Sequence, residues 1–140
     1  MKIWVDADAC PKSVKDILFR LAERIEIIVT LVANQGMRLP DSPFIKLIQV
    51  GHGADVADDE IINMCEAGDL IITADIPLAA RVVEKEAHAL DPRGKVYDKN
   101  NIGQILSMRN FMEELRGSGI ETGGPNSFGQ KERFKFANEL

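Results

Sequence analysis

The sequence predicts a three-layer α/β domain in which helices cover both faces of a mostly parallel β-sheet. Two observations support this. Short runs of β-branched and other apolar residues recur along the chain, and segments with apolar residues at helical spacing separate them. Strands that are apolar along their whole length are typical of parallel sheets buried on both faces, which right-handed strand–helix–strand crossovers connect.

The first unit reads as a strand, an acidic turn and a helix. Residues 2–6 form the strand, and Pro11 suits the opening turn of the helix. Three further apolar runs, residues 25–33, 45–50 and 69–74, predict the next strands. The loop at residues 34–43 joins the first two of these runs.

The remaining elements follow from the same patterns. A helix over residues 56–68 is expected to end at Gly68, and the next helix begins with Pro77 in its first turn. Weaker patterns predict a strand at residues 88–90, a short strand near Val96 and Tyr97, and a helix over about residues 102–116. The segment 118–140 predicts a Gly-rich loop and a C-terminal helix packed on the domain, with Phe134 and Phe136 as apolar anchors.

A chain of 140 residues predicts one domain, residues 1–140. Few apolar residues precede the first acids and no apolar stretch reaches about 20 residues, so we expect neither a signal peptide nor a membrane span. The prediction is a cytoplasmic protein with no membrane partner. Its net charge of −5 disfavours tight, non-specific polyanion binding but permits a local basic face.

Acidic residues gather where the predicted strands end. Six aspartates follow a strand or open the helix after one: Asp6, Asp8, Asp55, Asp58, Asp59 and Asp75. The carboxyl ends of parallel strands meet at one edge of a sheet, where ligands bind. Two interpretations stay open for each acid: it caps a helix N-terminus, or it belongs to a shared site.

A shared site needs a cation, because several carboxylates in contact repel one another. Oxygen ligands without a cysteine or histidine set favour Mg²⁺ or Mn²⁺, which would assist hydrolysis of a phosphate ester. The candidate catalytic and metal-binding residues are Asp6, Asp8, Asp58 and Asp75, with Asp55 and Asp59 as further metal ligands.

Substrate-binding candidates lie in two segments of the chain. Lys12 and Ser13 follow the acidic turn, and the segment ETGGPNSF, with Thr122, Gly123 and Gly124, fits either an anion-binding nest or a surface loop. Cys10 also stands near the start of the first helix, where a thiol is readily activated. The surrounding acids oppose a nucleophilic role for this cysteine.

Four motifs carry a family resemblance: WVDADACP, GADVAD, ITADIPLA and GIETGGPNSF. Together with LVANQ and the helix containing MRNFMEELR, they closely resemble the YaiI/YqxD family of small bacterial proteins over essentially the whole chain. The resemblance implies a PIN-like, Rossmann-like fold related to metal-dependent nucleases.

The resemblance also implies roles for individual residues. Asp6 matches the aspartate that ends the first strand of PIN-like nucleases, Asp75 the aspartate of their D-x-x-L-A pattern, and Asp58 the acid that opens the middle helix. PIN-like nucleases often carry one more acid, for which this chain offers Asp91 or Asp98 without a clear motif.

The leading hypothesis is a Mg²⁺- or Mn²⁺-dependent nuclease that hydrolyses phosphodiester bonds of RNA or DNA. A second hypothesis is a non-catalytic, PIN-like module that binds RNA or protein. A third is a phosphatase of the haloacid-dehalogenase type, since Asp6 and Asp8 form the D-x-D pattern and LIIT resembles a later motif of that class. Against it, Cys10 stands where those enzymes carry Thr or Val.

Overall fold

Strands and helices alternate in the computed structural model, which describes residues 1–53, 55–117 and 130–139, without the side chains of residues 116–117 and 130–134. The strands are β1 (Ile3–Asp6), β2 (Val29–Ala33), β3 (Ile45–Gln49), β4 (Leu70–Ile72), β5 (His88–Leu90) and β6 (Val96–Tyr97). The helices are α1 (Lys12–Ile25), α2 (Val56–Met64), α3 (Ile76–Glu84), α4 (Ile102–Gly117) and α5 (Gln130–Glu139). In these described ranges, no helix has the length and apolar character needed to cross a membrane.

The strands form one sheet in the order β3-β2-β1-β4-β5-β6. Strands β1 to β5 are parallel to one another, and β6 pairs antiparallel with β5. The chain runs outward from β1 through β2 to β3 and then returns to form β4 on the other side of β1. The carboxyl ends of β1 and β4 therefore flank the topological switch point, where open α/β sheets bind ligands.

The sheet is buried on both faces because successive side chains of a strand point in opposite directions. In β1, Ile3 and Val5 join one core with α1 and α5, whereas Trp4 joins a second core with α2 and α3. Helix α4 packs on the second face through Ile102 and Ile105. The three-layer α/β prediction is confirmed, and the fold is consistent with the PIN-like, Rossmann-like description.

Helix α5 completes the layer that α1 begins. Phe136 is fully buried in the core with Ile72 and Leu90. Gly94 lies in the turn after β5 with φ 93°, and a Cβ there would stand 2.7 Å from the backbone nitrogen of Phe136. The predicted C-terminal helix is confirmed, whereas the predicted Gly-rich loop at residues 118–129 lies outside the described residues.

Two predicted boundaries were wrong. The first helix includes Ile25, and the following strand begins four residues later at Val29, because Glu26 adopts a left-handed conformation (φ 55°) that ends α1. The middle helix ends at Met64 rather than Gly68, because Cys65 is extended. Apolar character alone does not distinguish the end of a helix from the start of a buried strand.

Asp69 fixes the amino-terminal edge of the two central strands. Its carboxylate is buried and accepts hydrogen bonds from the Trp4 indole at 3.0 Å, the Lys2 backbone at 3.0 Å and the Glu66 backbone at 2.9 Å. Burial by itself would raise the pKa of Asp69, but the hydrogen bonds from Glu66, Lys2 and Trp4 together lower it. The folded state therefore stabilises the ionised form of Asp69.

The substitution Asp69→Asn is expected to lower the free energy of unfolding by about 2 kcal/mol at pH 7, because an amide nitrogen must face a buried donor. A carboxylate with a lowered pKa stabilises the fold fully above its unfolded pKa and loses this effect as the pH falls through the folded value. Urea unfolding should therefore show the difference from wild type shrinking below about pH 4. The exposed neighbour substitution Glu66→Gln is the control, and an equal loss in both variants would contradict this role.

Candidate active site

Thr73 joins the ends of the two central strands. Its side chain is 1% exposed. The Thr73 hydroxyl donates to Oδ2 of Asp6 at 3.0 Å and accepts from the backbone N–H of Asp75 at 3.0 Å. Sequence analysis missed this residue as part of the site, although its position at the end of the run LIIT was the available signal.

Helix capping explains only part of the acidic pattern. Asp75 caps α3, because its Oδ1 accepts from the backbone N–H of Leu78 at 2.9 Å. Asp6 and Asp55 also stand at N-cap positions, but neither side chain makes a capping hydrogen bond. Asp58 lies within the first turn of α2. Capping is therefore established for Asp75, and the shared-site interpretation of the other acids stays a prediction.

Mutual repulsion connects Asp6, Asp58 and Asp75. Burial raises the pKa of Asp6; the hydrogen bond from Thr73 lowers it, and the charges of Asp75 and Asp8 raise it. Burial, followed by the charges of Asp75, Asp6 and Asp55, raises the pKa of Asp58 to about 7, against a smaller opposing effect of Arg81. The carboxylates of β1, α2 and α3 therefore share one electrostatic environment.

Asp8 is held by the loop after β2. Its Oδ2 accepts from the backbone N–H of Asn34 at 2.9 Å. With the Asn34 amide nitrogen oriented toward Asp8, the side chain adds a second hydrogen bond to Oδ2 at 2.7 Å. Asp8 is exposed and influences Asp6 through its charge. Sequence analysis included Asn34 only within the family motif LVANQ and missed this contact.

Asp55 and Asp59, the further candidate metal ligands, differ in their surroundings. Asp59 forms an ion pair with Arg81 at 2.9 Å, and both side chains are substantially exposed. Asp55 is exposed at the start of α2, where its charge contributes to the raised pKa of Asp58. The ion pair directs Asp59 toward α3 and gives its carboxylate a cationic partner.

The substrate-binding candidates fall into two groups. Lys12 is exposed and Ser13 half-buried in the first turn of α1, at the same sheet edge as Asp6. Thr122, Gly123 and Gly124 lie outside the described residues.

Cys10 lacks the properties of an activated nucleophile. Its side chain is buried. Burial raises the pKa of the thiol to about 12; Lys15 lowers it less, and Asp6 raises it further. The thiol therefore remains protonated at neutral pH, where a nucleophilic cysteine would need the thiolate.

The two candidates for a further acid, Asp91 and Asp98, accept hydrogen bonds from groups outside the Asp6, Asp58 and Asp75 cluster. Asp91 is buried and accepts hydrogen bonds from Tyr97 Oη at 3.1 Å and from the Arg93 backbone. Asp98 accepts from the backbone of Asn100 and Asn101 at the start of α4. Both carboxylates stabilise local turns.

The described carboxylates do not form a preorganised metal cage. Across residues 1–53, 55–117 and 130–139, no group of three histidine, cysteine, aspartate or glutamate side chains is arranged to hold a metal ion. The site instead contains neighbouring carboxylates with oxygen atoms that make no described hydrogen bond, Oδ1 of Asp6 and Oδ2 of Asp75.

A family model described as "Uncharacterized BCR, YaiI/YqxD family" matches residues 4–140. The chain belongs to the YaiI/YqxD family. It is 61% identical to a UPF0178 protein of Maridesulfovibrio salexigens and 60% identical to one of Janthinobacterium sp. (strain Marseille), covering 100% of this chain and 93% of each relative. A UPF0178 protein of Klebsiella pneumoniae (strain 342) is 59% identical over 100% of this chain and 92% of the relative.

Membership of the YaiI/YqxD family confirms the resemblance carried by the four motifs. Comparison with solved structures gives no match. The PIN-like relationship therefore stays a prediction, which is consistent with the order of strands in the sheet.

The substitution Asp58→Asn is expected to stabilise this YaiI/YqxD protein in EDTA. Since the folded pKa of Asp58 is about 7 and lies above the unfolded value, wild type loses stability as the pH rises from about 4 to 7. Allowing for solvent screening, we expect the free energy of unfolding of Asp58→Asn to exceed that of wild type by about 1–2 kcal/mol at pH 8. Urea titrations at pH 5 and pH 8 measure it, with the exposed Asp41→Asn as control. A gain independent of pH would contradict the electrostatic cause.

Proposed function

We propose that this protein is a Mg²⁺- or Mn²⁺-dependent nuclease that hydrolyses phosphodiester bonds of RNA or DNA at the Asp6, Asp58 and Asp75 site. The observation that carries the proposal is the convergence of these acids at the switch point, where Thr73 bridges Asp6 and the Asp75 backbone. Among the described residues, no basic side chain forms an ion pair with Asp6. A divalent cation would relieve the mutual repulsion.

The donor set fits such a cation. Carboxylate oxygens are preferred by Mg²⁺ and Mn²⁺, and Mg²⁺ is commonly bound through one or two carboxylates, several waters and substrate phosphates. A preformed cage of three protein ligands is therefore not required. Asp6 and Asp75 are the proposed principal ligands, with Asp58 beside them and Asp8 at the periphery.

The chain's own residues prepare this site. The buried Thr73 hydroxyl fixes the carboxylate of Asp6, and the hydrogen bond from Leu78 fixes that of Asp75. Lys12 and Ser13 stand at the same edge, suited to substrate phosphates. A bound cation would supply an activated water and stabilise negative charge on the phosphate.

Turnover by the wild-type protein tests this proposal. Single-stranded RNA, single-stranded DNA and a generic phosphomonoester should each be incubated with Mn²⁺, with Mg²⁺ and with EDTA. The proposal expects cation-dependent cleavage of a nucleic acid. Turnover of the phosphomonoester alone would favour the phosphatase hypothesis instead, and no cation-dependent cleavage of either nucleic acid would reject the nuclease.

Non-catalytic binding is the second candidate function. The lack of a preorganised three-ligand group among the described residues favours it. A binding module would retain nucleic acid in EDTA and leave it intact when Mn²⁺ is added. Filter binding followed by gel analysis of the same RNA distinguishes the two functions.

A further inference from the structure

Two arginines define a surface on α1 that the proposed active site does not use. Arg20 and Arg24 are one helical turn apart and exposed. They border two grooves of about 460 and 450 Å³, one on each side of the pair. We call this surface the arginine groove.

The walls of the arginine groove are mainly apolar. Ile17 and Leu21 line one side together with Ala137 of α5. Phe19 and Pro40 line the other. The grooves therefore combine guanidinium groups with apolar side chains, one of them aromatic.

The two arginines form no ion pair within the described part of the chain. Neither Arg20 nor Arg24 makes a side-chain hydrogen bond or ion pair to another described residue, in contrast to Arg81 and Arg109. The neighbouring Glu23 lines the second groove without pairing to either. Helix α1 carries four basic residues (Lys12, Lys15, Arg20 and Arg24) and two acidic ones (Asp16 and Glu23). In a chain of net charge −5, this helix therefore has a local positive charge suited to an anionic ligand.

We propose that the arginine groove binds the backbone of a single-stranded nucleic acid whose neighbouring segment occupies the acidic site. This inference rests on the proposed function and narrows its substrate class. Guanidinium groups bind phosphates in a bidentate manner, and Phe19 with the adjoining apolar walls offers surface to unpaired bases. An acidic peptide would use the charges but has no bases to place on the apolar walls.

Helix α1 sets the length of strand required. It begins beside the acidic site, and a rise of about 1.5 Å per residue places Arg24 about 18 Å along the axis from Lys12. At about 3.4 Å per stacked nucleotide, that span corresponds to roughly five nucleotides. A dinucleotide in the acidic site therefore cannot reach the arginine groove, whereas a 12-nucleotide strand can.

The test measures binding in EDTA, so that cleavage does not contribute. Fluorescence anisotropy should compare a labelled 12-nucleotide single strand with wild type, the double variant Arg20→Ala with Arg24→Ala, and the charge-matched control Lys2→Ala with Lys95→Ala. We expect about tenfold weaker binding for the arginine variant at low salt. The slope of log affinity against log salt should fall by about 1.4, since two phosphate contacts are lost.

The inference is overturned if the wild-type protein does not bind the strand, or if the arginine and lysine variants lose affinity equally. It is also overturned if an acidic peptide competes as well as the unlabelled oligonucleotide. Catalysis is scored separately with Mn²⁺, on the 12-nucleotide strand and on a dinucleotide. If binding depends on the arginines but no substrate is cleaved, the groove proposal stands and the nuclease proposal is rejected. If the dinucleotide is cleaved but binding does not depend on the arginines, the nuclease proposal stands and the groove proposal is rejected.

Discussion

Substitution of Asp6 by asparagine is expected to reduce Mn²⁺-dependent cleavage of nucleic acid by at least about 100-fold. Asp6 is half-buried at the end of β1, and Thr73 fixes its carboxylate. An amide keeps the size of the side chain but removes the charge that would hold the cation. A loss of several kcal/mol of charge stabilisation corresponds to a factor of this size. The measurement is the initial rate of cleavage at saturating Mn²⁺.

Asp41→Asn is the matched control for this prediction. Asp41 is exposed in the loop before β3, away from the site residues, and the substitution makes the same change in net charge. Its rate should equal that of wild type. Thermal melting in EDTA must show that Asp6→Asn is folded. A folded Asp6→Asn protein that retains the wild-type rate would exclude this carboxylate from catalysis.

The substitution Phe136→Ala is expected to lower the free energy of unfolding by about 3–5 kcal/mol. Phe136 has 0% exposure and fills the core beside Leu18, Ile72 and Leu90. Among the described side chains of α5, those of residues 135–139, Phe136 is buried and the others are exposed. In a chain of this length, the melting temperature should fall by roughly 10 °C. Urea unfolding and thermal melting measure the two quantities.

Phe111→Ala provides the comparison for this loss. Phe111 on α4 is 54% exposed, so removing its ring leaves no comparable cavity and should change stability by less than about 1 kcal/mol. If Phe136→Ala were as stable as Phe111→Ala, α5 would not be docked on the sheet as described. If both variants were equally destabilised, the effect would not depend on burial.

The fold was largely predictable because its signals are local. The apolar run at 45–50 corresponds to β3, and the proline at position 77 marks the first turn of α3. Boundaries without a strong local signal were less accurate. The end of α1 depends on the left-handed backbone of Glu26, and the sequence has no glycine or proline there to predict this conformation.

The candidate site was predictable in outline but not in its contacts. Carboxylates following several parallel strands must approach one edge, which was enough to select Asp6, Asp8, Asp58 and Asp75 as candidates. The sequence did not reveal that Thr73 links Asp6 to Asp75, or that Asn34 binds Asp8. These contacts join residues from different strands, and their geometry depends on the register of the sheet.

The sequence by itself determined the three-layer class, most elements and the family, because hydrophobic periodicity, helix signals and motifs act over short stretches of chain. Only the tertiary structure decided which aspartate caps a helix, which one pairs with Arg81 and which share an electrostatic environment. It also brought α5 beside α1 and formed the arginine groove between distant segments. The physical reason is that burial and charge interactions depend on distances in space, which sequence separation does not specify.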